Sequence, residues 1–559
     1  EVRTDEWLVT AQVTGRPIGA KQALELGAVD AVVELDNLEA AALDQVEQMV
    51  AAGSFRRTKS LQVDGFRDAD ALAKLKKSAR LPAPQAIVRC VEAAVGSDIA
   101  TGLAVERDEF MALAVSPEAK ALQHMFFAER TCSKVPGVSA KDAVPVAAAG
   151  VVGGGTMGRG IAMCFLDAGV PVTLLDVDEK AAAAARSGIE ETYKRSSAFR
   201  KGKLTEAALE KKLAGLKCAA DVSALSDADL VVEAIYEDMD VKRATFAALD
   251  GACKPSAILA SNTSTLSIDG IAEAVADPSR VVGMHFFSPA NVMRLLENVR
   301  GARTGAVAVA TAMAMGKKLK KTTVLAGDDF GFIGNRMLEP YGRECLAMLR
   351  HAEMAPKDVD AVLTKFGMAM GFFAMCDLAG NDIGYAVRTS LGLTDPSGRD
   401  PSVEYSADVA DELARAGRFG QKVGKGWYLY ETPRVPSPDP DVDSLIAGFK
   451  DASLAQTVSA DDVRDRAMLA LANEGFRVLE ERLALRPSDI DVVWTSGYGF
   501  PRHVGGPMHW AEARGLAEVR DRLVGFAAER PSVPYLQPAK LLADMADVGA
   551  PLKDWEKFL

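Results

Sequence analysis

Val146-Ala-Ala-Ala-Gly150-Val-Val-Gly153-Gly-Gly155-Thr-Met-Gly158-Arg-Gly-Ile-Ala162, followed by Val172-Thr-Leu-Leu-Asp176, decides the fold of this chain. An apolar run suited to a buried parallel strand, Val146 to Val152, meets Gly153-x-Gly155-x-x-Gly158. A helix then begins, and a second apolar strand ends in a carboxylate 23 residues after Gly153. That order is the dinucleotide-binding fingerprint. Gly153 permits the tight strand-to-helix turn, Gly155 puts no side chain in the path of a pyrophosphate, and Gly158 lets helix and strand approach closely. Asp176 is placed to accept hydrogen bonds from the adenosine ribose hydroxyls. With Asp178 nearby and no arginine directly after Asp176, a 2′-phosphate is repelled, so the pattern favours NAD over NADP.

A chain of 559 residues is too long for one core and points to about three or four domains. Its net charge of −12 argues against a general nucleic-acid or anionic-membrane binder. The seven cysteines, Cys90, Cys132, Cys164, Cys218, Cys253, Cys345 and Cys376, are scattered, odd in number and without metal-ligand spacing. They read as reduced buried thiols in a reducing compartment; the expected setting is cytoplasmic, with organellar targeting as the alternative. The longest apolar stretch, Val144 to Phe165, is punctuated by glycines and Arg159, so no transmembrane segment is expected.

Residues 1 to about 140 carry helical patterns without a complete strand-and-helix alternation. Leu81-Pro-Ala-Pro84 marks a break; Gln85 to Val95 and Gly102 to Arg130 have helical apolar spacing, and a polar linker then passes Pro136 and Gly137. From Val146 to about Leu325 strand and helix alternate, with strands at Leu230 to Val232, Ala257 to Ala260 and Val281 to Met284. This predicts a doubly wound parallel sheet in an α/β fold. Beyond Gly327 amphipathic helices dominate up to Gly426, Trp427-Tyr-Leu-Tyr430 closes that section, and Pro433 to Pro440 form a linker. The helical part reads as duplicated. Met354-Ala-Pro-Lys-Asp-Val-Asp360 and Phe366-Gly-Met-Ala-Met-Gly371 are echoed by Leu485-Arg-Pro-Ser-Asp-Ile-Asp491 and Gly497-Tyr-Gly-Phe-Pro501. Two related all-helical domains are therefore predicted.

His285 closes the apolar run Val281 to Met284, at the carboxyl end of a parallel strand, where open α/β sheets place their active sites. Alcohol oxidation needs a base for the hydroxyl proton while hydride leaves carbon, and imidazole suits that task near neutral pH. Glu297 is placed to hold the ring and stabilise its charged form. Ser261-Asn-Thr-Ser264-Thr follows another strand, so its polar groups project from the same edge, with helix capping as the simpler alternative for at least one of them. Asn335, in Gly331-Phe-Ile-Gly-Asn-Arg336, can offer an amide to a polarised oxygen.

In order along the chain, Gly-x-Gly-Thr-Met-Gly, Ser-Asn-Thr-Ser, His285-Phe-Phe-Ser-Pro, Glu297, Gly-Phe-Ile-Gly-Asn-Arg and Gly417-Arg-Phe-Gly-Gln-Lys-Val-Gly-Lys-Gly-Trp-Tyr428 resemble the L-3-hydroxyacyl-CoA dehydrogenases. More narrowly, residues 146 to 525 resemble the multifunctional fatty-acid β-oxidation enzymes, in which an enoyl-CoA hydratase domain precedes the dehydrogenase. Thr14 to Asp30 looks like the late segment of a crotonase-type hydratase, and Phe126-Phe-Ala-Glu-Arg130 like its linker helix. The resemblance implies a remnant of that domain plus linker over 1–142, a Rossmann-like NAD-binding domain over 146–326, and helical domains over 327–432 and 441–559. It implies oxidation of L-3-hydroxyacyl-CoA with NAD, and a natural full-length protein that is also a hydratase. The alternatives are a dehydrogenase-only enzyme or an NAD-binding scaffold subunit.

By motif, the resemblance makes His285 the base, Glu297 its partner, and Ser264 and Asn335 the holders of substrate oxygens. Gly153, Gly155, Met157, Gly158, Asp176, Ile235, Tyr236, Glu237, Lys242 and Ser264 match cofactor positions. The simpler alternative for Glu237 and Lys242 is an exposed helical ion pair. Thr192, Lys194, Arg195, Arg200 and Lys201 lie where the family meets CoA phosphates; a solvated face is the simpler reading of those charges. The implied partners are an acyl-CoA substrate and a thiolase or a second copy of the chain. Two residues depart from the family pattern: Ser288 where Asn is common and Phe372 where Pro is usual.

Overall fold

The computed structural model of the protein describes residues 15, 17–53, 73, 75–77, 79, 81–352, 354–450 and 458–559. The chain divides into two compact units, 1–120 and 121–559. In the first, the helices Pro82–Gly96 and Ile99–Ala114 follow one another, the second capped by Asp98, whose carboxylate accepts from the Ala100 and Thr101 amides. Thr14 and Arg16 of the hydratase-like segment lie outside the described residues; its remainder holds the short helix Ala20–Glu25. The helix predicted over 102–130 is two helices, because Ser116 accepts from the Ala119 amide and Pro117 opens a new one, Pro117–Thr131.

The second unit is built on an eight-stranded sheet: β1 Ala149–Val152, β2 Val172–Leu175, β3 Leu216–Ala219, β4 Leu230–Glu233, β5 Ile258–Ser261, β6 Val281–Phe286, β7 Leu295–Arg300 and β8 Thr322–Gly327. Their order is β3-β2-β1-β4-β5-β6-β7-β8, and β1 to β6 are parallel. The switch point falls between β1 and β4, and their carboxyl edge is where ligands of such sheets bind. β1 starts three residues later than its apolar run suggests: the Ala147 and Ala148 amides donate to the Asp229 carboxylate, 2.8 and 3.1 Å away, and not to a neighbouring strand. The sheet is also not wholly parallel. β7 runs antiparallel to β6, because a short connection brings the chain straight back where a parallel return would need a crossover, and β8 pairs parallel with β7.

The rest of the second unit is helical, and its local geometry repeats. Pro356–Phe366 leads to Phe372–Ala379, as Pro487–Gly497 leads to Pro507–Arg514, each first helix opening on proline. In the first copy Asp360 accepts from the Phe373 and Ala374 amides, both at 3.0 Å; in the second, Asp491 accepts from Met508 and His509 at 2.8 and 3.4 Å. A carboxylate reaching from one helix thus caps the next. Gly371 and Gly506 precede the capped helices because a β-carbon at either would run into Asp360 or Asp491. The capped helices end at Gly380 and Gly515, with φ of 110° and 102° and the same ψ of 118°. The long helices Gly334–His351 and Ala460–Glu480 pack on each other, fastened by Arg336 to Glu474 at 2.6 Å. Nearby, the buried Arg530 and Glu344 pair at 2.7 Å.

Asp360 also accepts from the Tyr428 hydroxyl at 2.8 Å, so one buried carboxylate ties three elements. Asp360→Ala is expected to lower stability by about 2–4 kcal/mol, the scale for losing several bonds to a buried charged acceptor. Urea unfolding checks this, and an unchanged midpoint contradicts the capping role.

Candidate active site

At the carboxyl end of β1 the three fingerprint glycines meet different constraints. Gly153 has φ of 101°, and a β-carbon there would lie 2.7 Å from the Ala234 carbonyl beyond β4; one at Gly158 would lie 1.8 Å from the Gly153 carbonyl. At Gly155 a β-carbon would meet only open space. Gly153 and Gly158 are therefore required by the fold. Gly155, which caps the helix Thr156–Asp167 without a side chain, leaves the first-turn amides open to an anion. A pyrophosphate fits that cradle. Asp176, one residue past β2, accepts from the Gly154 amide at 3.0 Å and the Val177 amide at 2.8 Å, so this acid braces the glycine turn. Asp178 accepts from the Ala181 amide at 2.7 Å as the cap of the next helix. Met157 is half-buried in the turn's own helix.

Every polar side chain of Ser261-Asn-Thr-Ser264 is used. Ser261 donates to Glu233 at 2.6 Å, Asn262 accepts from the Phe286 amide at 2.8 Å, and Thr263 donates to Glu237 at 2.6 Å. Ser264 donates to the same Glu237 oxygen from its amide at 2.8 Å and its hydroxyl at 3.2 Å. The next helix is capped by Ser267, so helix capping does not explain this cluster. Glu237 and Lys242 are not an exposed pair. Lys242 is 1 % exposed and lies 2.6 Å from the buried Glu233, with Glu237 at 3.3 Å. Burial works against the Glu237 charge, but Lys242 and the donors from Thr263 and Ser264 outweigh it and hold the carboxyl below its usual range. Ile235 donates its amide to Glu233 at 2.8 Å, and Tyr236 is 78 % exposed beside it.

His285 on β6 stands directly opposite Glu297 on β7. Its Nδ1 lies 2.8 Å from Glu297 Oε2, and the other carboxylate oxygen, Oε1, accepts from the Gly334 amide at 3.0 Å. Gly334 begins the helix Gly334–His351, so the carboxylate also sits at the positive end of a helix dipole. With Nδ1–H donated to Glu297, the lone pair is on Nε2. Phe287 and Phe332 flank the ring at centroid distances of 4.5 and 5.7 Å. Asn335, the next residue of the helix, has its amide nitrogen 3.4 Å from the Ser264 carbonyl and accepts from the Tyr498 hydroxyl at 2.8 Å. His285, Glu297, Asn335, Ser264, Glu237 and Lys242 are thus linked through consecutive hydrogen bonds and the Gly334–Asn335 backbone. Ser264 and Asn335 also line an apolar cavity of about 330 Å³, together with Leu338, Leu346, Met375 and Val387.

The basic helix Glu179–Arg195 behaves differently. Thr192 donates to the Gly188 carbonyl at 2.7 Å, Lys194 pairs with Glu190 at 2.6 Å and Arg195 with Glu191 at 2.5 Å, all on an exposed face. Arg200 and Lys201 are exposed just beyond it. None of these residues lines the cavity at Ser264 and Asn335. Ser288 is exposed and precedes Pro289. Phe372 opens its helix where proline would fit, and its ring stacks edge-on against Tyr341 and forms part of the cavity wall. The residues that sequence reading missed are Glu233 and Tyr498. An acid ending β4 beside the glycine turn was a usable signal for Glu233; Tyr498 had none beyond its place in the repeat.

A glycine cradle at the switch point and a histidine–carboxylate pair at the same sheet edge define the site of a nicotinamide-dependent dehydrogenase. The descriptions "3-hydroxyacyl-CoA dehydrogenase, NAD binding domain" and "3-hydroxyacyl-CoA dehydrogenase, C-terminal domain" match residues 148–329 and 331–430. The chain is 38% identical to the peroxisomal bifunctional enzyme of Cavia porcellus over 568 residues, covering 98% of this chain and 78% of that one. It is 32% identical to a glyoxysomal fatty acid beta-oxidation multifunctional protein of Cucumis sativus, covering 97% and 75%. Among solved structures it resembles 3-hydroxybutyryl-CoA dehydrogenase from Escherichia coli K12, with a TM-score of 0.62, 27% identity and coverage of 73% and 99%. It also resembles the dehydrogenase part of a multifunctional enzyme from C. elegans, with a TM-score of 0.56, 30% identity and coverage of 75% and 96%. The chain belongs to the 3-hydroxyacyl-CoA dehydrogenase family.

Asp176→Ala is expected to weaken NAD binding by about 1.5–3 kcal/mol, the scale of charge-assisted hydrogen bonds, and to narrow the preference over NADP. Steady-state kinetics with both cofactors measure the gap. An unchanged preference would show that Asp176 does not read the ribose.

Proposed function

We propose that this site oxidises an L-3-hydroxyacyl-CoA to the 3-ketoacyl-CoA with NAD, a step of fatty-acid β-oxidation, with His285 as the base. The observation that carries the reading is the buried His285–Glu297 pair, held by its carboxylate and left with one free ring nitrogen at the edge that also carries the glycine cradle. NAD, when bound, supplies the hydride acceptor. The C3–H bond breaks with its electron pair leaving as hydride, the O–H proton goes to His285 Nε2, and the carbonyl forms. Glu297 stabilises the imidazolium that results. Ser264 and Asn335 hold the oxygen atoms of the substrate, and the apolar cavity that both line suits an acyl chain beside the reacting C3.

The domain division proposed is 1–142, 146–326, 327–432 and 441–559; the repeated carboxylate-capped helices support treating the last two as related. A buried His285–Glu297 pair with both carboxylate oxygens bonded and Nε2 left free favours turnover over scaffolding, which has no need of it. The second activity in the names of the relatives is theirs, and the described residues here support the dehydrogenase. Those names place the relatives in peroxisomes and glyoxysomes, so they lend no support to a cytoplasmic setting. Among the described residues no helix is long and apolar enough to cross a membrane.

His285→Gln is expected to lower turnover by at least about a hundredfold, the usual scale for a positioned base, with NAD binding retained. NADH formation from 3-hydroxybutyryl-CoA and a longer homologue checks this. Near-normal turnover by the folded variant would remove the assignment.

A further inference from the structure

We propose that Tyr498, supplied by the second helical copy, is a positioning residue for the oxidation: it fixes the Asn335 amide with its nitrogen turned toward Ser264 and the substrate. The inference rests on the proposed function and adds a residue to it. Its geometry is specific. The Ser264 carbonyl, 3.4 Å from the Asn335 side chain, can only accept, so the amide nitrogen must face it. The amide oxygen then faces the Tyr498 hydroxyl at 2.8 Å, and the phenol must donate. Burial, and after it the Glu297 charge, raises the Tyr498 ionisation well above the usual tyrosine range, which keeps that donor protonated. Without it the amide could turn over and present its oxygen to the same substrate oxygen.

The fold itself does not demand a tyrosine here. Both helices run eleven residues from their opening proline, and Tyr498 takes the C-cap slot that Gly367 takes in the first copy. The first copy ends its helix with no side chain at all. In the second copy the ring stacks on Trp494 at 4.7 Å and meets Phe287, the neighbour of the His285 ring, edge-on at 5.5 Å. It also lies so close over the start of the Gly334–His351 helix that a β-carbon on Gly334 would be 2.4 Å from it. Gly334 is bare because Tyr498 covers it, and the Gly334 amide is the one that donates to Glu297. A single ring from the second copy thus braces both the Asn335 amide and the helix start that holds Glu297.

Tyr498→Phe keeps the ring and its stacking while removing the donor. The expected result is a fall in kcat of about three- to tenfold, the worth of one hydrogen bond between neutral groups, with KM for NAD and the thermal midpoint nearly unchanged. A purely packing role would leave kcat of this variant at the wild-type value. The decisive comparison is a double-mutant cycle with Asn335→Ala: if Tyr498 acts through Asn335, adding Tyr498→Phe to Asn335→Ala costs less than about twofold. Wild-type kcat in Tyr498→Phe, or the same fold-loss in both backgrounds, overturns the proposal. An active wild type with a normal Tyr498→Phe variant counts against Tyr498 alone. A folded wild type that forms no NADH from any 3-hydroxyacyl-CoA overturns both readings.

Discussion

Glu297 divides its carboxylate between two donors that come from different parts of the chain. One oxygen takes the His285 ring from the adjacent strand, and the other takes the first amide of the Gly334–His351 helix. A buried carboxylate is costly unless its lone pairs are used, and here both oxygens are. That requirement couples sheet to helix: wherever Glu297 sits, the helix start must sit too, and Asn335 arrives as the next residue. The site is therefore assembled by satisfying one buried charge.

The reversal of β7 makes this possible. Had the sheet continued parallel, Glu297 would have approached its neighbours through a crossover, and no register would have set it opposite His285 twelve residues back. The long helix placed by Glu297 is then the one that packs against its counterpart in the second copy, with Arg336 and Glu474 pairing beside the site. Polar groups farther along the edge follow the same rule. Lys242 is buried because Glu233 and Glu237 flank it, and Glu237 in turn collects Thr263 and Ser264.

Local constraints were legible in the sequence. The glycine turn, Asp176 after β2, and His285 at a strand end each follow from short-range backbone rules, and each lies where those rules put it. The duplicated Pro-x-x-x-Asp pattern was legible too, although its purpose was not: it places Asp360 and Asp491 to cap a different helix. What escaped was whatever depends on pairing across the chain. Glu297 was expected to hold the His285 ring, but not from a strand antiparallel to that of His285; the simpler reading of Glu237 and Lys242 as an exposed pair fails because helical spacing says nothing about a buried acid on β4; and Tyr498 is brought to Asn335 from 163 residues away. The start of β1 was misplaced for a similar reason, since Asp229 takes its first amides.

The most direct test of the account is turnover by Glu297→Gln. Glutamine keeps the shape but turns one acceptor oxygen into a donor, so either the His285 ring or the Gly334 amide loses its partner and the imidazolium loses its countercharge. NADH formation at saturating 3-hydroxybutyryl-CoA and NAD is expected to fall by about a hundredfold or more, comparable to the loss of an orienting carboxylate in other histidine-based sites, while the NAD dissociation constant stays within about twofold. A folded Glu297→Gln protein that turns over at the wild-type rate would contradict the central role given to that carboxylate.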